Sequence, residues 1–167
     1  GLEIGIAFSD PIADGPVIQA AAVRALEAGV TTEDAWKVIE TIRERHPEIP
    51  IGLLVYANLV FHRGIDAFYR RASKAGVDSV LVADVPTYEA EPFVKVAKEF
   101  QIQPVFIATP NASAQVLERV ANLTEGYTYT VTRAGVTGIS DMLEEGQDRM
   151  ISRMHELQSA PVKLGIG

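Results

Sequence analysis

The chain has 167 residues with a net charge of -7, and 47% of them are hydrophobic, which is enough for one domain with a sizeable core. The acidic balance argues against a nucleic-acid surface and gives no support to a polybasic membrane patch. The absence of cysteine excludes disulfides, a thiolate nucleophile and cysteine metal sites. A membrane-spanning helix needs about 20 consecutive apolar residues, and no apolar run in the sequence approaches that length. Taken together, these features lead us to expect a cytoplasmic enzyme or binding protein that contacts neither nucleic acid nor membrane.

Short apolar runs alternate with longer segments of helical periodicity along the chain. Pro16 suits the first turn of a helix over Val17–Ala28, and Thr31 opens a second helix, TEDAWKVIETIRER. Two further helices are predicted by apolar residues at i, i+3, i+4 and i+7: Ile65, Phe68, Tyr69 and Ala72, then Phe93, Val96, Ala97 and Phe100. The predicted strands are Leu2–Phe8, Ile51–Tyr56, Ser79–Val82, Pro104–Ile107, Tyr127–Val131 and Val162–Gly165.

This alternation predicts an α/β fold with a parallel sheet, either a doubly wound open sheet or a (β/α)₈ barrel. No G-x-G-x-x-G motif follows a strand, so the main dinucleotide signal is missing. Polar residues instead follow the ends of several strands, as they do at the catalytic face of a TIM barrel: Asp10 and Asp14, Asn58, Asp84, and residues 133–138. Six strands fall short of eight, so we expect a single domain over residues 1–167 that is an internal fragment of a TIM barrel, with about six to seven parallel strands.

Glu3 lies in an apolar strand whose other face carries Leu2, Ile4, Ile6 and Phe8. In a barrel that apolar face packs outward on helices, and Glu3 points into the interior. A buried carboxylate without a partner raises its pKa and can exchange protons near neutral pH. The alternatives are that Glu3 lies at an exposed terminus or pairs with a core side chain.

Other candidate residues have a structural and a functional interpretation. Asp10 and Asp14 suit turns in a Pro- and Gly-rich loop as well as they suit chemistry. Tyr129 is either a core tyrosine or a group that projects into a pocket near its strand end. The glycines after Tyr129, together with Gly165 and Gly167, form loops whose backbone N–H groups suit phosphate.

Several other chemistries find no support in the sequence. The three histidines have no metal-type spacing, so no metal site is predicted. There is no G-x-S-x-G nucleophile elbow. A Schiff-base aldolase needs an inward lysine on a strand, and the candidate, Lys163, comes early in its strand, towards the non-catalytic face.

Four stretches of the chain together resemble the tryptophan synthase alpha chain family: LEIGIAFSDPIADGPVIQ, PIGLLVYANLVFHRGIDAFY, GVDSVLVADVP and GYTYTVTRAGVTG. The resemblance implies a TIM barrel whose first and last strands are absent here. It implies a lyase that cleaves indole-3-glycerol phosphate into indole and glyceraldehyde 3-phosphate in tryptophan biosynthesis.

The resemblance also implies roles for single residues. Glu3 and Asp14 match the family's catalytic carboxylates, and Tyr129 matches its active-site tyrosine. Gly138 and Gly167 match phosphate-binding backbone positions, and Thr137 belongs to a loop that closes against Asp14. The remaining matches, which face a beta chain in the family, are Asp10, Pro11 and Asn58.

In the implied retro-aldol reaction, Glu3 shuttles protons, Asp14 stabilises charge at the ring nitrogen, and Tyr129 positions the substrate. The resemblance implies an α₂β₂ heterotetramer in which pyridoxal phosphate belongs to the beta chain, and this chain needs no cofactor. Two alternatives stay open: a degenerate alpha chain that only docks on and activates a beta chain, and a stand-alone indole-releasing lyase. We expect the fragment alone to be inactive.

Overall fold

The structure is a computed structural model that describes residues 1–131 and 140–165. Short strands alternate with helices along these residues. The strands are β1 (Leu2–Gly5), β2 (Ile51–Val55), β3 (Ser79–Val82), β4 (Gln103–Val105), β5 (Ile107–Ala108), β6 (Thr128–Val131) and β7 (Val162–Gly165). The helices are α1 (Pro16–Glu27), α2 (Thr32–Arg45), α3 (Ala57–Phe61), α4 (Ile65–Ala75), α5 (Glu91–Glu99), α6 (Ala114–Leu123) and α7 (Ser140–Glu156). None of the helices in these ranges combines the length and apolar character needed to span a membrane.

The chain divides into two compact units, Gly1–Gln103 and Pro104–Gly167. In the first unit, β1 pairs in parallel with β2, and β2 pairs in parallel with β3. The sheet order is β1-β2-β3-β4, so among the described strands β1 lies at an edge. Because the strands are parallel, the residues that follow β1, β2 and β3 all emerge at the same end of the sheet.

One face of this sheet carries the hydrophobic core of the first unit. Ile4, Leu53 and Val80 lie in register across β1, β2 and β3 and belong to that core. Helices α2 and α4 cover it, with Trp36 packed edge-on against Phe68 at a centroid distance of 5.6 Å. Because side chains alternate along a strand, Glu3 lies on the opposite face, as the sequence predicts.

The ends of two helices follow from particular residues. Thr31 and Asp34 form a reciprocal capping box at the start of α2, in which the hydrogen bonds from Thr31 hold the pKa of Asp34 down to about 2. Helix α4 ends at Gly76, whose φ of 84° lies in the left-handed region that favours glycine.

The Arg43 guanidinium ties together the amino-terminal ends of β2 and β3. It donates to the carbonyls of Gly76, Pro47 and Ile49 and to the Asp78 carboxylate, over distances between 2.6 and 3.0 Å. Asp78 also accepts from the N–H of Ile51, the first residue of β2, at 2.7 Å. A single cation therefore connects α2, the loop before β2 and the loop before β3.

The second unit contains the parallel sheet β5-β6-β7. Ile107, Tyr129 and Lys163 lie in register across the three strands. Thr128 and Thr130, the neighbours of Tyr129 in β6, are fully buried. Tyr129 is half-buried, so the two faces of β6 have different surroundings.

Most predicted elements are confirmed, with differences at strand ends. Strands Ser79–Val82 and Val162–Gly165 have the predicted bounds, whereas β1 ends at Gly5, the last of its residues that pairs with β2. The predicted strand Pro104–Ile107 is wrong as a single element, because it divides at Phe106 into β4 and β5 of two sheets. The one-domain organisation stays a prediction.

We expect Gly76→Ala to destabilise the protein by more than the roughly 1 kcal/mol that a left-handed alanine costs. A Cβ at Gly76 would lie 2.7 Å from Cγ of Arg43, whose guanidinium is held by several acceptors and cannot move freely. The measurement is the free energy of unfolding in urea.

The matched control is Gly29→Ala. Gly29 has a φ of 79°, but a Cβ there would meet open space within the described part of the chain. Its substitution should cost the backbone strain alone. Equal losses in the two variants would contradict the role given to Arg43.

Candidate active site

Glu3 lies in β1 on the face opposite the helices, and of the alternatives that the sequence leaves open the structure favours the exposed one over the barrel interior. Its side chain is exposed in this structure. The physical reason is the edge position of β1, which pairs with β2 on one side and has no strand on its other side among the described residues. The periodicity therefore assigns the face of Glu3 correctly but not its surroundings.

The loop after β1 carries both candidate aspartates. Asp10 is exposed and accepts a 2.5 Å hydrogen bond from the hydroxyl of Ser9, a local contact that suits the turn role. Asp14 is half-buried. Its N–H donates to the carbonyl of Pro11 at 3.3 Å, and its own carbonyl accepts from Nε2 of Gln19 at 2.8 Å. The backbone around Asp14 is thus fixed to its own loop and to α1.

Tyr56, the residue directly after β2, is a site residue that the sequence analysis did not single out. It is 2% exposed, and its hydroxyl accepts a 3.1 Å hydrogen bond from the N–H of Ala13. Burial raises the pKa of Tyr56 to about 12, the Ala13 N–H opposes this shift, and the charges of Asp14 and Asp84 add to it. A tyrosine at the carboxyl end of a barrel strand was the available signal.

The next two strand ends supply Asp84 and the short helix α3. Oδ1 of Asp84, just after β3, accepts a 2.7 Å hydrogen bond from the N–H of Ala57. Asn58 in α3 is exposed, and so is Phe61 at 55% of its surface. Ile12, in the loop after β1, is 80% exposed. The carboxyl ends of the first three strands thus carry acidic groups bordered by exposed apolar side chains.

Tyr129 lies in the second unit and packs closely over Gly165. A Cβ built at Gly165 would overlap the Tyr129 ring at Cζ and its hydroxyl oxygen. Gly165 is the last residue of β7, in register with Val131 at the end of β6. The Tyr129 ring therefore points towards the carboxyl ends of β6 and β7. This direction is the one expected for a side chain that projects towards a pocket near its strand end.

Three candidate residues, Thr137, Gly138 and Gly167, lie outside the described residues. Their assignment to loop closure and phosphate binding stays a prediction. Across residues 1–131 and 140–165, no group of three or more His, Cys, Asp or Glu side chains is arranged to hold a metal ion.

Comparisons with known proteins point to one family. The family model for the tryptophan synthase alpha chain matches residues 1–167. The chain is 57% identical over 166 residues to the tryptophan synthase alpha chain of Shewanella amazonensis and 54% identical to that of Vibrio cholerae. Each alignment covers 99% of this chain but 62% of the relative, so the chain spans less than two thirds of their length.

Solved structures agree with the sequence relatives. The tryptophan synthase complex from Pyrococcus furiosus contains a chain 34% identical to this one, with a TM-score of 0.87 over 99% of this chain and 65% of that chain. A structure of the a2b2 complex from the same organism gives a TM-score of 0.85 at 34% identity. The predicted fold, an incomplete TIM barrel, is confirmed by this similarity.

We expect Gly165→Ala to displace the Tyr129 ring and to destabilise the protein by about 1–3 kcal/mol, as overpacking does. Gly146→Ala is the matched control, because Gly146 lies inside α7 and a Cβ there would lie 3.6 Å from Cβ of Pro110, an ordinary van der Waals contact. That control should be neutral or stabilising by up to about 1 kcal/mol. Urea unfolding and a crystal structure of each variant are the measurements, and an unmoved Tyr129 in Gly165→Ala would contradict the packing.

Stability should fall as the pH rises from about 10 to about 12. Because burial raises the pKa of Tyr56 from 10.0 to about 12, the folded state keeps a proton that the unfolded state loses across this window. This contribution is fully present below pH 10 and is lost above it. We would compare urea unfolding at pH 8 and pH 11 for the wild type and Tyr56→Phe; an equal loss in both would contradict the assignment.

Proposed function

The chain belongs to the tryptophan synthase alpha chain family, and we propose that the full-length protein containing it cleaves indole-3-glycerol phosphate into indole and glyceraldehyde 3-phosphate. The observation that carries this proposal is the pair of carboxylates on one strand and its loop. Glu3 lies on the face of β1 opposite the helices, and Asp14 follows in the loop whose Ala13 N–H bonds to the Tyr56 hydroxyl. The activity belongs to the full-length protein, because the chain spans 62% of its relatives.

The reaction breaks the carbon–carbon bond between C3 of the indole ring and the glycerol carbon that bears a hydroxyl. Indole leaves poorly until C3 is protonated, and protonation places positive charge at the ring nitrogen. The hydroxyl loses its proton as its carbon becomes an aldehyde. The step is redox-neutral, so one general acid–base group and one charge-stabilising group are sufficient.

The two carboxylates suit different halves of this chemistry. Asp14 is half-buried and constrained through its backbone, which suits a fixed carboxylate that accepts the ring N–H and stabilises its charge. Glu3 is the proton shuttle that serves C3 and the glycerol hydroxyl. Tyr129, whose ring lies over Gly165, positions the substrate in this proposal. The phosphate is assigned in this proposal to backbone N–H groups at Gly138 and Gly167, which lie outside the described residues.

The proposed partner is a tryptophan synthase beta chain in an α₂β₂ assembly. Support comes from the Pyrococcus furiosus complexes and from the surface at the carboxyl ends of the strands. There the exposed Asp10 and Asn58 lie in the same loop and helix as the exposed apolar residues Ile12 and Phe61. Pro11 belongs to the same loop. In this proposal the beta chain holds pyridoxal phosphate, and the alpha chain supplies indole to it.

We expect Glu3→Gln and Asp14→Asn in the full-length protein each to lower kcat for aldehyde release by about 100-fold or more, the usual contribution of a general acid–base group. Glu48→Gln is the matched control, because Glu48 is an exposed carboxylate in the loop before β2, at the opposite end of the strands. The assay follows glyceraldehyde 3-phosphate with and without beta chain.

The three functions considered give different results in this assay. Loss of activity in both variants with an active control supports the lyase. Activity that does not change when beta chain is added would favour the stand-alone lyase. An inactive wild type that nevertheless activates beta chain would replace the proposal with the docking role.

A further inference from the structure

Tyr56 is held rigidly at the junction between β2 and α3. Its ring is 2% exposed and stacks on Phe8 with a centroid distance of 5.4 Å and an interplanar angle of 24°. The backbone just after it is held by the 2.7 Å hydrogen bond from the N–H of Ala57 to Asp84. Two neighbouring strand ends therefore fix the position of this side chain.

The loop that carries Asp14 contacts the Tyr56 side chain at two points. Phe8 contacts the Tyr56 ring where the loop begins, and the N–H of Ala13 donates to the Tyr56 hydroxyl one residue before Asp14. The Asp14 backbone bonds to Pro11 and Gln19 stay within the loop and α1. The Ala13 bond, in contrast, joins the loop to the end of β2.

The Tyr56 hydroxyl can also donate a hydrogen bond. A phenol that accepts one hydrogen bond retains its O–H as a donor. Asp14 lies close enough for its charge to add to the rise in the pKa of this hydroxyl.

We propose that Tyr56 is a positioning residue that aims the Asp14 carboxylate at the ring nitrogen of the substrate. It does so through the hydrogen bond from the Ala13 N–H to its hydroxyl oxygen, which fixes the backbone one residue before Asp14. This role rests on the proposed lyase function. The proposal predicts that removal of the Tyr56 hydroxyl oxygen lowers the rate of cleavage, although the sequence of the loop and both proposed catalytic carboxylates are unchanged.

The test compares Tyr56→Phe with Tyr69→Phe in the full-length protein with its beta chain. Tyr56→Phe keeps the ring that stacks on Phe8 and removes the hydroxyl. Tyr69 is also 2% exposed and has a pKa raised by burial, but it lies in α4 against Phe68, so it controls for the loss of a buried hydroxyl.

Tyr56→Phe should lower kcat by about 10- to 100-fold, the scale expected when a reacting group is misplaced by about 1 Å. KM should change much less, because the phosphate and the ring still bind. Tyr69→Phe should leave kcat and KM within about twofold of the wild type. An unchanged kcat in Tyr56→Phe would overturn the proposal.

The preference of the protein for a ligand with a ring N–H is a second measurement, and it would not change if Tyr56 had only a structural role. The probes are an uncleavable indole-3-alkyl phosphate and its benzofuran counterpart, which lacks the N–H. The wild type should bind the indole compound about tenfold or more tightly than the counterpart, as expected for a hydrogen bond to a charged group. This ratio should fall in Tyr56→Phe and persist in Tyr69→Phe. An unchanged ratio in Tyr56→Phe would contradict the aiming role.

A measurement that needs no activity separates this proposal from the lyase proposal. Amide hydrogen exchange at Ala13 should accelerate in Tyr56→Phe, because its acceptor is gone, and should not change in Tyr69→Phe. Unchanged exchange would overturn the anchoring step even in an active enzyme. Accelerated exchange in a protein that cleaves no indole-3-glycerol phosphate would refute the lyase and keep the loop anchor.

Discussion

The hydrogen-bonded hub around Arg43 is the constraint on which the first unit depends. Its guanidinium joins α2 to the loops before β2 and β3, and Asp78 in that hub also holds the first N–H of β2. These bonds hold the start of β2 beside the start of β3, where Gly52 pairs with Ser79. Because the strands are short and parallel, the same register decides which residues emerge at their carboxyl ends. Tyr56 and Asp84 therefore owe their positions to a polar cluster at the other end of the sheet.

This arrangement divides the unit into a structural end and a chemical end. At the amino-terminal end, the acceptors around Arg43 are carbonyls and one carboxylate, and they hold segments of the chain together. At the carboxyl end, Asp14, Tyr56 and Asp84 place two negative charges around a buried hydroxyl. Burial first, and then these two charges, raise the pKa of Tyr56 to about 12.

Local patterns predicted most of the fold because they express local physics. The capping box at Thr31 and the helical spacing from Ile65 to Ala72 act within one or two turns, and both elements form as expected. The division of residues 103–108 into two strands depends on which neighbours each half pairs with. Single-sequence periodicity does not contain that information.

The same distinction applies to the site. The alternation around Glu3 identified its face, whereas its burial depends on neighbours across the sheet, and β1 is an edge strand here. Asp14 was found through a resemblance that covers its loop. Tyr56 was missed because its position at the end of a barrel strand was the one sequence signal, and that position suits a core tyrosine equally well. Its hydrogen bond from the Ala13 N–H is visible only in the structure.

The exposure of helix α1 has a consequence for how the molecule opens. None of its residues is buried, and Val17 and Ile18 are 79% and 54% exposed, whereas the core under α2 and α4 contains fully buried side chains. Segments with so little buried area open at lower free energy than the core does. We therefore expect α1, and the Asp14 loop that leads into it, to open at a lower free energy than the strands behind them. The few hydrogen bonds that hold this loop then become the contacts that decide how long it stays ordered on warming.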